Sequence, residues 1–284
     1  MIRMKTPAKI NLFLKVHEKR TDGYHEMETV MLKVGFFDEL DLAIESGDQV
    51  SLTIENQTEL STTNNLVVKA VRDYLEFVGL KRSVKAHLSK QIYISAGLGG
   101  GSSDAACALL LMNKKIGALS FEELLALGAK LGSDVPFFLH ETSLGYAWGR
   151  GEKVIPWQAL PSRRVVLAKP EFGLSTKLIY QKLGRPLVYQ GNSTANRCSN
   201  LMPETWTDFE NALPYENDLE AIVENECPQI SAIKAALLKE GASVAMMTGS
   251  GSTVFGMFDD ETLAIAATSA INLQGFRAVF VKSL

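Results

Sequence analysis

Ala96-Gly97-Leu98-Gly99-Gly100-Gly101-Ser102-Ser103-Asp104-Ala105-Ala106 is the stretch on which the reading of this chain turns. So much glycine is a liability wherever a side chain could serve, because glycine loses the most backbone freedom on ordering. In return, its backbone N–H groups can approach an anion with no Cβ in the way. If a helix begins at Ser102 or Ser103, its unpaired N–H groups and positive dipole end point at the same place, and two hydroxyls add donors. A tight strand-to-helix turn needs no ligand, but it does not call for this density of glycine and serine. The pattern is not a Walker loop, since no Gly-Lys-Ser/Thr follows, nor a Rossmann fingerprint, since no acidic residue closes a following strand.

Working outward, Val84–Ile94 alternates around Ala86, Leu88 and Ile92 and runs into the loop as a strand, while Ser103–Lys115, dominated by Ala and Leu, leaves it as a helix. Ser120-Phe121-Glu122-Glu123 is a capping box that opens a further helix, which Gly132 should close. Upstream, Leu66, Val67, Ala70, Val71, Tyr74, Leu75 and Val78 follow a helical period that stops at Gly79. The first forty-five residues contain three β-favouring runs, Ile10–Leu14, Thr29–Val34 and Glu39–Ile44. Downstream, Pro156, Pro161 and Pro170 surround the apolar run Val165–Ala168, which places a domain boundary near residue 157 and gives domains 1–156 and 157–284. The remainder predicts helix 175–183, an irregular polar stretch 185–215, helix 228–240, strands 244–247 and 253–258, helix 260–271 and strand 276–281. That order suits a split β-α-β lobe.

Composition narrows the function. With 284 residues, 46% hydrophobic, 21% charged and a net charge of −3, the chain is that of an ordinary globular protein of one large or two smaller domains. Lysines and arginines are scattered, so a nucleic-acid track is not expected. Cys107, Cys198 and Cys227 lie far apart without a CxxC pair, which predicts reduced thiols and no metal-ligating cluster. The apolar stretch Ile10–Val16 is interrupted by Asn11 and Lys15, so neither a signal segment nor a membrane span is expected and the chain reads as cytoplasmic.

Three further groups carry chemistry. Lys9 and Asn11 share one face of a strand; a lysine so placed can be a solvated edge residue or a positioned cation. Asp134, in Gly132-Ser133-Asp134-Val135-Pro136, sits in an apolar setting after a helix end, where it can cap a short helix with Pro136 in its first turn or receive a proton. Thr248-Gly249-Ser250-Gly251-Ser252 is a hydroxyl-bearing turn that needs no ligand by itself. Between the first two strands, Asp22-Gly23 marks a turn that exposes Tyr24 and His25.

Together Pro7-Ala8-Lys9-Ile10-Asn11, the Gly97–Ala106 run, Gly132–Pro136 and Thr248–Ser252 resemble the GHMP kinases in order and spacing. Arg20-Thr21-Asp22-Gly23-Tyr24-His25 after Lys9-Ile10-Asn11 is similar to the 4-diphosphocytidyl-2-C-methyl-D-erythritol kinases within that superfamily. The resemblance implies an α+β fold of two lobes, an N-terminal lobe like domain 2 of ribosomal protein S5 and a C-terminal ferredoxin-like lobe. It implies ATP and Mg²⁺ as cofactors and a small-molecule acceptor carrying a cytidine diphosphate, in a monomer or weak homodimer. Lys9 and Asp134 would be the catalytic pair, with Asn11 beside the attacking hydroxyl. Ala96 to Ser103 would hold the phosphates, and Asn65 and Lys90 would lie near the adenine. Tyr24, His25, Thr176 and Tyr180 would line the cytidine pocket, and Gly249, Ser250 and Gly251 would form the second-lobe loop. Tyr93-Ile94-Ser95 departs from the proline and small residues with which the family commonly opens its phosphate loop. Homoserine and mevalonate kinases, or a noncatalytic nucleotide sensor, would share the glycine loop without needing Tyr24 and His25.

Overall fold

The computed structural model describes residues 1–55, 64–184 and 203–284. By compactness the chain divides into two units, Met1–Ala8 with Phe36–Ile92 and Gly99–Glu141, and Lys9–Gly35 with Tyr93–Leu98 and Thr142–Leu284. The two first strands, β1 (Ile2–Lys19) and β2 (His25–Glu45), contribute to both.

In the first unit, β3 (Val50–Glu55) leads to α1 (Leu66–Phe77), which returns to β4 (Ser83–Ser89) parallel to β3. β4 pairs antiparallel with the second half of β2, Leu40 opposite Leu88. α1 turns Val67, Val68, Ala70, Val71, Tyr74 and Leu75 inward, the stripe expected from its period, and Asn65 Oδ1 caps it by accepting from Val67 N at 2.9 Å. Next come α2 (Gly100–Ile116), α3 (Phe121–Leu131) and the short α4 (Val135–Leu139). The Ser120–Glu123 capping box forms as the sequence predicts. Tyr74 ties α1 to α2 by donating to Asn113 Oδ1 at 2.8 Å.

In the second unit, β5 (Leu144–Gly149) pairs antiparallel with the first half of β2 and turns into β6 (Lys153–Trp157). Beyond β7 (Arg164–Lys169) lie α5 (Thr176–Lys182), α6 (Trp206–Ala212), the two-residue β8 (Glu216–Asn217) and α7 (Glu220–Glu226). Then α8 (Pro228–Lys239), β9 (Val244–Met247), β10 (Val254–Phe258), α9 (Glu261–Leu273) and β11 (Arg277–Lys282) complete the chain. The four-stranded antiparallel sheet has the order β11-β7-β10-β9, the split β-α-β arrangement expected of a ferredoxin-like lobe. Val166, Ala168, Val254 and Phe258 from its strands are buried with Ile230, Ile233, Leu237, Ala264 and Ile271 from α8 and α9. The fold is α+β, as expected.

Several details differ from the sequence expectation. The three N-terminal strands are two, because Gly35-Phe36-Phe37 offers no turn chemistry and β2 runs on unbroken, paired to β5 before it and to β4 after it. Helix α2 starts at Gly100, not at Ser102 or Ser103, so two glycines occupy its first turn. Gly132 closes α3 as expected, in an extended conformation with φ 179°. Residues 206–212, expected to be irregular, form α6, capped by the Thr205–Asp208 box; residues 185–202, with Cys198, lie outside the described residues. The hairpin β5–β6 was not anticipated, nor was α7. The division by compactness interleaves segments, whereas the expected boundary at 156/157 is a single cut. Among the described residues no helix is long and apolar enough to cross a membrane.

Candidate active site

In the first unit the site is built around the start of α2. Gly99, at the N-cap with φ 69°, has no side chain to cap the helix, and among the described residues no side-chain acceptor takes its first N–H groups. Ser103 Oγ is buried there with no hydrogen-bond partner among the described residues. A buried hydroxyl left unpaired is costly, and an anion at the helix start would satisfy it. Below the first turn lies Lys90, 7% exposed, which pairs with Asp38 and with Asp104 Oδ2 at 2.8 Å. A Cβ on Gly100 would come within 3.4 Å of Lys90 Nζ and 3.0 Å of Ile92 Cγ2, so glycine lets the helix sit down on this floor. Asp38 Oδ1 also accepts from Ile92 N at 2.8 Å, and Thr6 Oγ1 donates to Asp104 Oδ1 at 2.7 Å. The cluster holds one more carboxylate than ammonium. Burial, and Asp38 behind it, push the Asp104 carboxyl up to about 6 against the pull of Lys90; burial opposes the Lys90 charge, but Asp104 and Asp38 outweigh it and hold its pKa up.

The turn before α4 lies against the same helix start: a Cβ on Gly132 would sit 3.7 Å from Ser102 Oγ. Asp134 occupies the N-cap position of α4 but its side chain makes no capping hydrogen bond, so capping is not its role.

In the second unit, Lys9 and Asn11 are 4% and 3% exposed, not solvated edge residues. Lys9 Nζ donates to Asn11 Oδ1 at 2.6 Å. Asn11 is fixed on its other sides: Nδ2 donates to Thr29 Oγ1 at 2.8 Å, the backbone N donates to Thr248 Oγ1 at 2.9 Å, and Thr248 Oγ1 donates back to Oδ1 at 3.1 Å. That pattern leaves the amide one orientation, with its oxygen toward Lys9. The Gly97–Leu98 entry to the glycine run is locked to the same place, Leu98 O accepting from Lys9 N at 3.0 Å and Ala96 O from Thr253 N at 3.2 Å. Gly97 has φ 77°, and a Cβ there would collide with the Thr248 carbonyl. Gly249 comes so close that a Cβ would stand 3.3 Å from both Lys9 Nζ and Asn11 Oδ1. Asn217 holds this turn by donating through Nδ2 to Met247 O at 2.8 Å and Gly249 O at 2.9 Å.

A second cluster in that unit contains the aromatic residues. The His25 and Tyr180 rings lie 5.6 Å apart at 34°. Tyr24, 53% exposed, has the Arg150 guanidinium 4.9 Å from its ring centroid. Thr176 and Ser250 share a hydrogen bond of 2.8 Å, joining the start of α5 to the 248–252 turn. An open pocket of about 660 Å³ is lined by Ile94, Ser95 and Gly173–Thr176. Ser95, in the stretch that departs from the family pattern, takes a left-handed φ of 51°, costly for a residue with a Cβ, and its carbonyl accepts from Leu174 N at 3.2 Å.

Comparison with known proteins agrees with this layout. The family model for the GHMP kinases N terminal domain matches residues 65–142, and that for the GHMP kinases C terminal matches residues 200–276. The 4-diphosphocytidyl-2-C-methyl-D-erythritol kinase of Geobacter sp. (strain M21) is 34% identical over 100% of this chain and 99% of its own length. That of Desulfotalea psychrophila is 39% identical over 90% of this chain and 85% of its own. The chain belongs to the 4-diphosphocytidyl-2-C-methyl-D-erythritol kinases of the GHMP family. A crystal structure of a 4-(cytidine 5'-diphospho)-2C-methyl-D-erythritol kinase superposes with a TM-score of 0.78 at 31% identity, covering 99% of each chain. A homoserine kinase from Cytophaga hutchinsonii, 15% identical with a TM-score of 0.71 over 100% of this chain and 94% of its own, shares the fold.

As a GHMP kinase the chain is an ATP-dependent phosphotransferase with a small-molecule acceptor. Of the expected site residues, Gly99–Ser103, Asn65, Lys90 and Asp134 stand in the first unit; Lys9, Asn11, Ala96–Leu98, Gly249–Gly251 and the Tyr24, His25, Thr176 and Tyr180 group stand in the second. Within the units, Lys9, Asn11 and Gly249 converge, as do His25 and Tyr180. Thr29, Asp38, Asp104, Arg150 and Asn217 were not anticipated. Asp104 could have been found, as an acidic residue inside an Ala- and Leu-rich helix; the others carry no local signal.

Proposed function

We propose that the chain transfers the γ-phosphoryl group of ATP to the 2-hydroxyl of 4-diphosphocytidyl-2-C-methyl-D-erythritol, an early step of isoprenoid precursor synthesis. The observation that carries the reading is the start of α2, where uncapped N–H groups and the buried, unpartnered Ser103 hydroxyl fit phosphate oxygens. Gly99 to Ser103 would hold the phosphates, with Ala96 to Leu98 leading in, and Asn65 and Lys90 toward the adenine. Asp134, whose carboxylate is not spent on its own helix, would take the proton of the attacking hydroxyl. Lys9, steered by Asn11, would orient that hydroxyl and offset the charge that develops on it. Tyr24, His25, Tyr180 and Thr176 would hold the cytidine, an aromatic setting suited to a flat base.

Among the described residues no cluster of three or more His, Cys, Asp or Glu side chains could hold a metal ion alone. Mg²⁺ binds largely through substrate phosphates and waters with one or two protein oxygens, and the Ser102 or Ser103 hydroxyl would supply one here. When bound, the ion would neutralise phosphate charge.

The test is acceptor-dependent ADP release from ATP with 4-diphosphocytidyl-2-C-methyl-D-erythritol. Asp134→Asn and Lys9→Ala should each lower kcat at least about a hundredfold, and CDP should compete with the acceptor. No acceptor-dependent turnover in the unaltered protein, or failure of CDP to compete, sinks the assignment of the substrate.

A further inference from the structure

An open pocket of about 560 Å³ lies between the start of β3 and the last turns of α1, with Asp48, Arg72, Lys81 and Arg82 around it. Its walls are fixed by the backbone. On one side Gln49 N donates to Ser83 Oγ at 3.1 Å and Gln49 O accepts from Val84 N at 2.8 Å. On the other, Gly79 at φ 66° closes α1 in a Schellman motif, Leu80 N donating to Leu75 O at 3.0 Å, and the chain turns back so that Lys81 and Arg82 line the same space. Among the described residues none of the three cations, nor Asp48, makes an ion pair. The acids along α1 do not account for the cations: Asp73 is paired with Lys69 at 3.2 Å, and Glu76, one turn beyond Arg72, makes no ion pair. The carbonyl end of α1 favours cations within its last turn, which suits Lys81 and Arg82 but not Arg72, more than a turn before Phe77. Charged groups that stand around a space without collapsing onto one another leave the cations able to donate and the carboxylate able to accept at once.

We propose that this pocket binds a phosphorylated polyol, its phosphate held by Arg72, Lys81 and Arg82 and a hydroxyl held by Asp48. Three cations less one carboxylate leave a net of two positive charges, which matches a phosphate dianion, and two of the cations are guanidinium forks. The Gln49 amide and the Ser51 hydroxyl offer contacts to further hydroxyls, while Leu75 and Leu80 give carbon surface to the chain between them. All of these residues lie in the first unit and none belongs to the candidate active site; Asn65, expected near the adenine, caps the other end of α1.

Labelling of Lys81 by acetic anhydride, read by peptide mass spectrometry on the full chain, tests this. Glycerol 3-phosphate at about ten times its Kd should slow labelling of Lys81 about tenfold, while the exposed Lys115 is unaffected. Glycerol should give no protection, and inorganic phosphate should need a higher concentration than glycerol 3-phosphate. Arg72→Ala should weaken protection at least about tenfold, the scale of one lost charged hydrogen bond, with the KM for ATP unchanged, which separates this pocket from phosphate bound at α2. Asp48→Ala should bind inorganic phosphate more tightly and lose the preference for glycerol 3-phosphate. Three results overturn the proposal: no protection at about 10 mM, ten times a Kd of about 1 mM; protection that survives Arg72→Ala; or inorganic phosphate protecting as well as glycerol 3-phosphate, the behaviour of a solvated basic face only.

Discussion

Lys90 and Lys169 are both buried lysines at the ends of strands, yet their surroundings are opposite. Under α2, Lys90 meets Asp38 and Asp104, and a threonine hydroxyl and backbone N–H groups take up the remaining carboxylate lone pairs. At the end of β7, Lys169 meets an aromatic ring and another cation. A buried charge that the fold itself neutralises is a structural member, there to hold the glycine-rich helix start at a fixed height. One that the fold leaves unneutralised is a standing cost that the surrounding packing has to outweigh.

The largest effect that could break this contrast is on stability. Lys90→Ala leaves two carboxylates buried face to face and should cost about 3–5 kcal/mol in urea unfolding, whereas Lys90→Met combined with Asp38→Asn and Asp104→Asn should recover most of that loss. A Lys90→Ala protein close to the original in stability would show the cluster to be incidental.

A somewhat smaller effect concerns pH. The Asp104 carboxyl titrates at about 6 in the fold against 3.8 for an ordinary one, so the folded state holds the proton more tightly than the unfolded chain. Stability from this group therefore falls as pH rises from about 4 to about 6 and is level above, by about 3 kcal/mol relative to Asp104→Asn. A difference between the two proteins that does not change across that window would place the titration elsewhere.

The smallest effect belongs to Lys169. Lys169→Met should be neutral or stabilising by up to ~1 kcal/mol at neutral pH. Because the Lys169 pKa is depressed in the fold, the unaltered protein gains on the variant as pH rises through the folded pKa toward 10.5. A clear loss of stability in Lys169→Met at neutral pH would mean that the ammonium already has a partner.

Much of the fold was legible because its signals are local. The α1 stripe, the Ser120 capping box and the β7-to-β11 order each depend on residues within a few positions of one another. The hairpin β5–β6 escaped because its second strand runs into Pro156 and the proline-marked stretch that reads as a domain boundary near residue 157. β2 was split in two because its continuity depends on changing partners midway.

The sequence by itself marked the glycine-rich run as a candidate anion site and, through the family resemblance, Lys9, Asn11 and Asp134 as candidates for its chemistry, since glycine density and motif order and spacing are properties of the chain. Tertiary structure alone decided that Asn11 would be gripped by Thr29 and Thr248, that Asp38 and Asp104 would neutralise Lys90, and that Asp134 would not cap its own helix. Those are pairings across up to 237 positions of sequence. They exist only once burial removes water and makes each polar group find the partner that packing brings to it.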